Sequence, residues 1–133
     1  ARLKAGGLYV LLDAPKPLFK APAHRCSDWF NRMNPLCAGG LTINRDVLEK
    51  LRAPQMRLLE QLQHEYSNLK VWDPFPLLCP DPVCSAYDGS HVPLFFDSNH
   101  LSAHGNRVLE ASFIQLLLQI WSKPYTRFCA SIH

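Results

Sequence analysis

The sequence predicts an α/β protein built on a parallel sheet, and three stretches predict it. Leu8-Tyr9-Val10-Leu11-Leu12 is a continuous apolar run after Gly6-Gly7, the pattern of a strand covered on both faces. Residues 44–66 change to helical spacing, with Val47, Leu48, Leu51, Leu58, Leu59, Leu62 and Tyr66 separated by Arg, Glu and Gln. Leu69-Lys70-Val71-Trp72-Asp73 then reads as a second strand, stopped by Pro74 and Pro76. Strand, helix and strand in that order form a βαβ unit, and such a crossover makes the sheet parallel.

The connecting elements follow in order. Asp13-Ala14-Pro15-Lys16-Pro17 closes the first strand. Residues 19–40 are rich in Pro, Cys and aromatics with weak periodicity, which predicts a long loop with one helical turn around residues 28–32. Long loops after strand ends in α/β folds often border ligands. Asn44 suits an N-cap, with Asp46 in the first turn. Pro54 inside a helix would cost about 3 kcal/mol, so either two helices meet there or the second begins at it. After a turn-rich Tyr87-Asp88-Gly89-Ser90-His91, the apolar Pro93-Leu94-Phe95-Phe96 reads as a short strand. Ser102 can cap the closing helix, whose apolar positions Val108, Leu109, Phe113, Leu116, Leu117 and Ile120 run to Trp121 before Lys123-Pro124. Gly105, one turn into that helix, costs about 1 kcal/mol relative to Ala and points to a close approach of the helix to the sheet. Residues 125–133 read as a tail.

Composition bounds the function. With 133 residues and 47% hydrophobic content, residues 1–133 form one domain with enough apolar side chains for a core. The formal charge of +3 is too small to argue for nucleic acid. The first forty residues do hold Arg2, Lys4, Lys16, Lys20, Arg25 and Arg32 against Asp13 and Asp28, which reads as a solvated basic face. No run approaches the roughly 18 apolar residues that span a bilayer. The chain begins Ala1-Arg2-Leu3-Lys4, with neither an initiator Met nor a signal-peptide layout, and reads as a piece of something longer. Five cysteines fall into two local pairs, Cys26/Cys37 and Cys79/Cys84, with Cys129 left over. Loop-closing pairs suit an oxidising compartment; buried free thiols in a cytosolic protein are the alternative.

The chemistry concentrates in Asp97-Ser98-Asn99-His100-Leu101-Ser102. A carboxylate three residues before an imidazole, between an apolar run and a cappable helix, can orient a catalytic base. The spacing itself is common: composition gives about 0.3 such matches by chance, and Asp88-Gly89-Ser90-His91 is a second. Setting separates the two, since Asp88/His91 falls in a turn. Three other readings compete. Cys79, Cys84, His91, His100 and His104 cluster in sequence as zinc ligands can. Trp29, Phe30 and Trp72 could serve a secreted carbohydrate-binding module without catalysis, although such aromatics are more often core. Asp97/His100 could also simply pin a strand to a helix. His24 and His104 read as surface or loop histidines.

Asp97-x-x-His100-Leu101-Ser102-x-x-Gly105, preceded by the Cys79/Cys84 loop and Pro74, resembles the C-terminal signature of SGNH-type (GDSL-like) hydrolases. More narrowly, it is similar to the SGNH domains behind membrane-embedded acyltransferases that O-acetylate bacterial surface polysaccharides. The resemblance is good over residues 71–113 and generic over 8–69. It implies a three-layer α/β/α sandwich with a flavodoxin-like parallel sheet, and a Ser-His-Asp triad in which His100 is general base and Asp97 its orienter. It implies no cofactor and no metal, a carbohydrate acceptor (surface polysaccharide or cell-wall glycan), an acyl donor relayed by a membrane acyltransferase domain or partner, and a periplasmic or extracytoplasmic site tethered to the inner membrane. The family's nucleophile lies in a GDS-type turn that has no counterpart here; in Gly89-Ser90-His91, Asp88 precedes the Gly rather than following it. The resemblance therefore implies the C-terminal half of an SGNH domain, with the Ser on a missing N-terminal segment or companion chain and the isolated chain inactive.

Overall fold

The computed structural model describes Leu3 and residues 6–31 and 33–121. Cys129, the predicted tail, the helix stop at Lys123-Pro124 and the Arg32 end of the predicted turn lie outside these residues. The chain is mixed α/β, and the predicted βαβ unit is its frame. Strand β1 (Val10–Asp13) pairs in parallel with a later strand, β3 (Leu69–Trp72), from Val10 opposite Leu69 to Asp13 opposite Trp72. The amides of Val10 and Ala14 donate across the pair to the carbonyls of Asn68 (2.9 Å) and Trp72 (2.8 Å).

The long helix between them, Arg45–Glu65, packs against β3. Asn44 stands at its N-cap with an extended backbone but makes no side-chain cap bond. Pro54 neither divides nor starts this helix; it lies inside one continuous run. Both Pro54 and Lys50, whose carbonyl the missing N–H would have served, are exposed, so water can take that acceptor and the break is avoided.

Residues 19–40 are more regular than the predicted loop. They form two short helices, α1 (Ala23–Cys26) and α2 (Pro35–Gly39), around a 3-10 turn at Trp29–Asn31, and the long helix is therefore α3. Asn34 caps α2 by accepting from the Leu36 amide at 3.0 Å, with Pro35 at its first position. A short strand β2 (Thr42–Asn44) follows and pairs antiparallel with β4 (Val83–Ser85). That second sheet was not legible, because three residues are too few to show alternation. Between β3 and β4 lies the one-turn helix α4 (Phe75–Leu78).

Residues 93–96 do not form a strand. They are held by isolated antiparallel bridges, Tyr87 with Pro93 and Phe95 with Leu101. The closing helix α5 (Ala103–Trp121) begins where predicted. Ser102 Oγ accepts the Gly105 amide at 3.0 Å and donates to the Pro93 carbonyl at 2.6 Å, so the cap also ties helix to loop.

The core gathers side chains from α1, α3, α4, β4, residues 94–95 and α5. Phe75, Phe95, Leu78 and Leu109 are essentially inaccessible, and Phe19 meets Phe95 edge to face at 5.1 Å. Both predicted cysteine pairs are disulfides, Cys26–Cys37 and Cys79–Cys84. Cys79 and Cys84 sit in the core, where the bridge joins the end of α4 to β4. The first strand is less covered than its apolar run predicts: Val10, Leu11 and Leu12 are half-buried. Among the described residues it has a single strand neighbour, β3.

Candidate active site

Asp97 and His100 meet in a tight turn. The carboxylate's Oδ1 accepts the backbone N–H of Asn99 (2.9 Å) and of His100 (2.7 Å), while Oδ2 lies 2.7 Å from the imidazole Nδ1. The turn closes through the Phe96 amide on the His100 carbonyl at 2.7 Å. It is stitched on its other side to the segment after β1, where the amides of Phe19 and Ala23 donate to the carbonyls of Ser98 (2.8 Å) and Asp97 (3.4 Å). Three residues of spacing thus give both a structured turn and an aligned pair.

The electrostatics follow from those bonds. The Asn99 and His100 amides, then the imidazole, favour the ionised carboxylate and hold the Asp97 carboxyl at about 2. Oδ2 of the ionised Asp97 accepts the hydrogen bond of Nδ1–H, and the tautomer that carries its proton on Nδ1 keeps the Nε2 lone pair as acceptor. Nε2 has no hydrogen-bond partner among the described residues. The imidazole is open, with 76% of the His100 side chain exposed against 40% for Asp97.

A cleft of about 630 Å³ opens beside this pair. One wall is the end of β1 and the segment after it, through Asp13, Ala14, Pro15, Lys16 and Leu18; another is Leu48, Leu51, Arg52 and Gln55 of α3; Asn99 and His100 complete it. It lies at the carboxyl end of a parallel strand, the usual ligand position in open α/β sheets. Lys16 pairs with Asp13. Arg52 donates to Asp73 Oδ1 at 2.6 Å and lies over the Phe75 ring, 4.2 Å from its centroid. Asp73 also accepts the Phe75 amide at 3.1 Å, so that carboxylate orders both the cleft's arginine and the start of α4. The cleft and the Arg52–Asp73 pair, 21 residues apart in sequence, carried no sequence signal.

The second D-x-x-H resolves differently. Asp88 Oδ1 accepts the amides of Ser90 (2.9 Å) and Val92 (2.8 Å), shaping a turn in which His91 adopts the left-handed conformation at φ 60°. Its Oδ2 lies 2.7 Å from Nε2 of His104, not from His91. The Val92 amide, then His104 and the Ser90 amide, lower the Asp88 carboxyl below its usual range. His104 is thus a half-buried, partnered residue rather than a plain surface histidine. Ser90 is exposed on that turn.

The zinc reading loses its ligands: Cys79 and Cys84 bind each other, and His100 and His104 each face a separate carboxylate. Among the described residues no group of three or more His, Cys, Asp or Glu is placed to hold a metal. Of the three aromatics, Trp72 is half-buried, with its Nε1 donating to Ser112 Oγ at 3.2 Å and its ring 4.9 Å from Phe113. Trp29 and Phe30 are exposed, against the expectation of a core position.

The fold thus sets a His–Asp pair beside the carboxyl end of a parallel strand in an α/β frame. Residues 1–115 match the family model described as SGNH domain (fused to AT3 domains), and the chain belongs to that family. The family is of hydrolase and acyltransferase type. No curated protein and no solved structure matches the chain. Among the described residues no helix is long and apolar enough to cross a membrane.

Proposed function

We propose that the intact protein transfers or hydrolyses an O-acyl group, acetyl foremost, on a carbohydrate by a Ser-His-Asp mechanism to which this chain contributes His100 and Asp97. The observation that carries the proposal is the aligned Asp97–His100 pair, with Nε2 unengaged, at the mouth of the cleft. Serine hydroxyl becomes a competent nucleophile when a base removes its proton, and a neutral imidazole held in one tautomer does so near neutral pH. His100 Nε2 takes the Ser proton as Oγ attacks the ester carbonyl, then returns it to the departing alkoxide, leaving an acyl-enzyme. In the second half Nε2 deprotonates the incoming hydroxyl, from a sugar in transfer or from water in hydrolysis, as it attacks the acyl carbonyl, and returns that proton to Oγ as the acyl–Oγ bond breaks. Asn99 and Gln55 beside Leu18 and Leu51 give the cleft the mixed polar and apolar surface that a sugar ring presents.

No serine hydroxyl is bonded to His100 among the described residues, and the proposal assigns the nucleophile to a segment or companion chain beyond these 133. Residues 1–133 then act as the C-terminal portion of an SGNH domain. The fusion to AT3 domains in the family description supports a membrane-associated parent; our reading puts this domain on the periplasmic side of it, receiving acyl groups relayed from the membrane. Replacing His100 with Ala in the full-length protein should abolish O-acetylation of the surface glycan, read as acetate released by base; unchanged acetylation rejects the assignment. Asp97→Asn should lower activity less completely, by disturbing tautomer and orientation while the base remains.

A further inference from the structure

The second D-x-x-H carboxylate makes a contact that the proposed chemistry does not use. Asp88 Oδ2 lies 2.7 Å from His104 Nε2, and both side chains are half-buried. Asp88 is held as firmly as Asp97: its Oδ1 accepts the amides of Ser90 and Val92, so the turn itself aims Oδ2. His104 is the second residue of α5, and the first turn of that helix has no acidic residue of its own. Asp88 brings a negative charge to the positive end of the helix from a different segment. Its two amides and the imidazole keep the carboxylate ionised, and a hydrogen bond to an ionised acceptor is roughly twice as strong as a neutral one.

The pair stands at the foot of the loop that carries His100. Residues 96–100 are closed by the Phe96 amide on the His100 carbonyl. Below that bond the two stems stay paired: Phe95 bridges Leu101, and the Ser102 amide and hydroxyl donate to the carbonyls of Leu94 (3.0 Å) and Pro93 (2.6 Å). Back from the first stem, the Leu94 amide donates to the Ala86 carbonyl at 2.9 Å and Tyr87 bridges Pro93, which brings the chain to Asp88. On from the second stem, the chain enters α5 and reaches His104. Asp88–His104 is therefore the last rung of one ladder, and it joins across sixteen residues the two segments between which the His100 loop is held. Tyr87 carries the bracing to the far side of the turn. Its Oη donates to the Ala23 carbonyl at 2.8 Å, and the Ala23 amide donates to the Asp97 carbonyl at 3.4 Å.

We infer that Asp88 and His104 are positioning residues for His100, a clasp across the stems of its loop that fixes where the imidazole Nε2 points. The inference rests on the acyl-transfer reading, and its test separates the two. The full-length protein, taken from its monodisperse gel-filtration peak, is assayed for release of p-nitrophenol from p-nitrophenyl acetate, with rates expressed per serine site titrated to completion by a fluorophosphonate. His104→Leu and His104→Ser remove the bond and leave the turn bonds of Asp88 in place. Each should lower kcat about tenfold with KM unchanged, the signature of a misplaced base. His104→Gln, whose side-chain N–H can reach the same carboxylate oxygen, should restore kcat to near the wild-type value. In a His100→Ala background, His104→Leu should not lower the residual rate per mole of protein any further, because its effect runs through His100. A role in stability alone would reduce the number of titrated sites and leave kcat per site unchanged. That result overturns the inference, as does a Gln variant as slow as the Leu variant, or a further loss in the His100→Ala background. A wild type no faster than His100→Ala would instead reject the acyl-transfer reading, and the inference with it.

Discussion

Asp97 carries two duties in one carboxylate. Oδ1 closes the turn on two backbone amides, and Oδ2 orients the imidazole. Both duties favour the charged form, which is why its carboxyl is held at about 2 in the fold, against about 3.9 in an unfolded chain. The sign follows: this contribution to stability is fully present above the unfolded value and is lost as pH falls through about 2. Thermal melts of the wild type between pH 5 and 2 should therefore fall more steeply than those of Asp97→Asn, which cannot titrate there. Equal slopes would mean that the carboxylate's bonds are not made in solution. Asp88, lowered in the same direction, remains in both chains and cancels from the comparison.

The turn is only as well placed as the elements that hold it, and α5 holds it at its first turn. A Cβ at Gly105 would lie 2.1 Å from the Leu94 carbonyl oxygen, a backbone atom with no side-chain freedom to yield. Gly105→Ala gains about 1 kcal/mol of helix propensity but forces helix and loop apart, at a cost of about 1–3 kcal/mol. Urea denaturation should show net destabilisation, and the His100 ring resonances should shift because residues 93–96 lead into its turn. Arg52 plays a similar part on α3, through Asp73 and the face of Phe75. Arg52→Lys should destabilise nearly as much as Arg52→Ala, about 1–2 kcal/mol, because Lys keeps the charge but loses the planar stack on Phe75. Full stability in the Lys variant would show that charge alone matters there.

At the scale of the molecule, the parallel pair has one closed edge and, among the described residues, one open one. Gln63 of α3 accepts the Val71 amide at 2.9 Å on the outer side of β3, so α3 blocks growth there. Val10 and Ala14 donate toward β3, and by alternation the Leu11 amide faces away from it. A further strand would join at β1, beside the cleft and the open Nε2, which is where the proposed nucleophile-bearing segment is needed. Hydrogen exchange should find the Leu11 amide fast in this chain and protected in the full-length protein; protection already present in the isolated chain would place another partner on that edge. The isolated chain should also show no esterase activity above a His100→Ala control.

Much of this was legible from local pattern. Period 3.6 located α3 and α5, the apolar runs located β1 and β3, and short loops paired the cysteines, because each rests on contacts within one element or one turn. Asp97 and His100 were legible for the same reason: three residues of separation let a turn align them. Asp88 and His104 were not, being sixteen apart on a loop and a helix whose docking no spacing records. The β2–β4 pair, the cleft, and the display of Trp29 and Phe30 on the surface likewise depend on how distant segments lie against one another. Sequence by itself thus determined the α/β frame and the carboxylate of His100. Tertiary structure decided the partner of Asp88, the walls of the cleft and the exposure of Trp29 and Phe30, since those follow from packing among elements rather than from order along the chain.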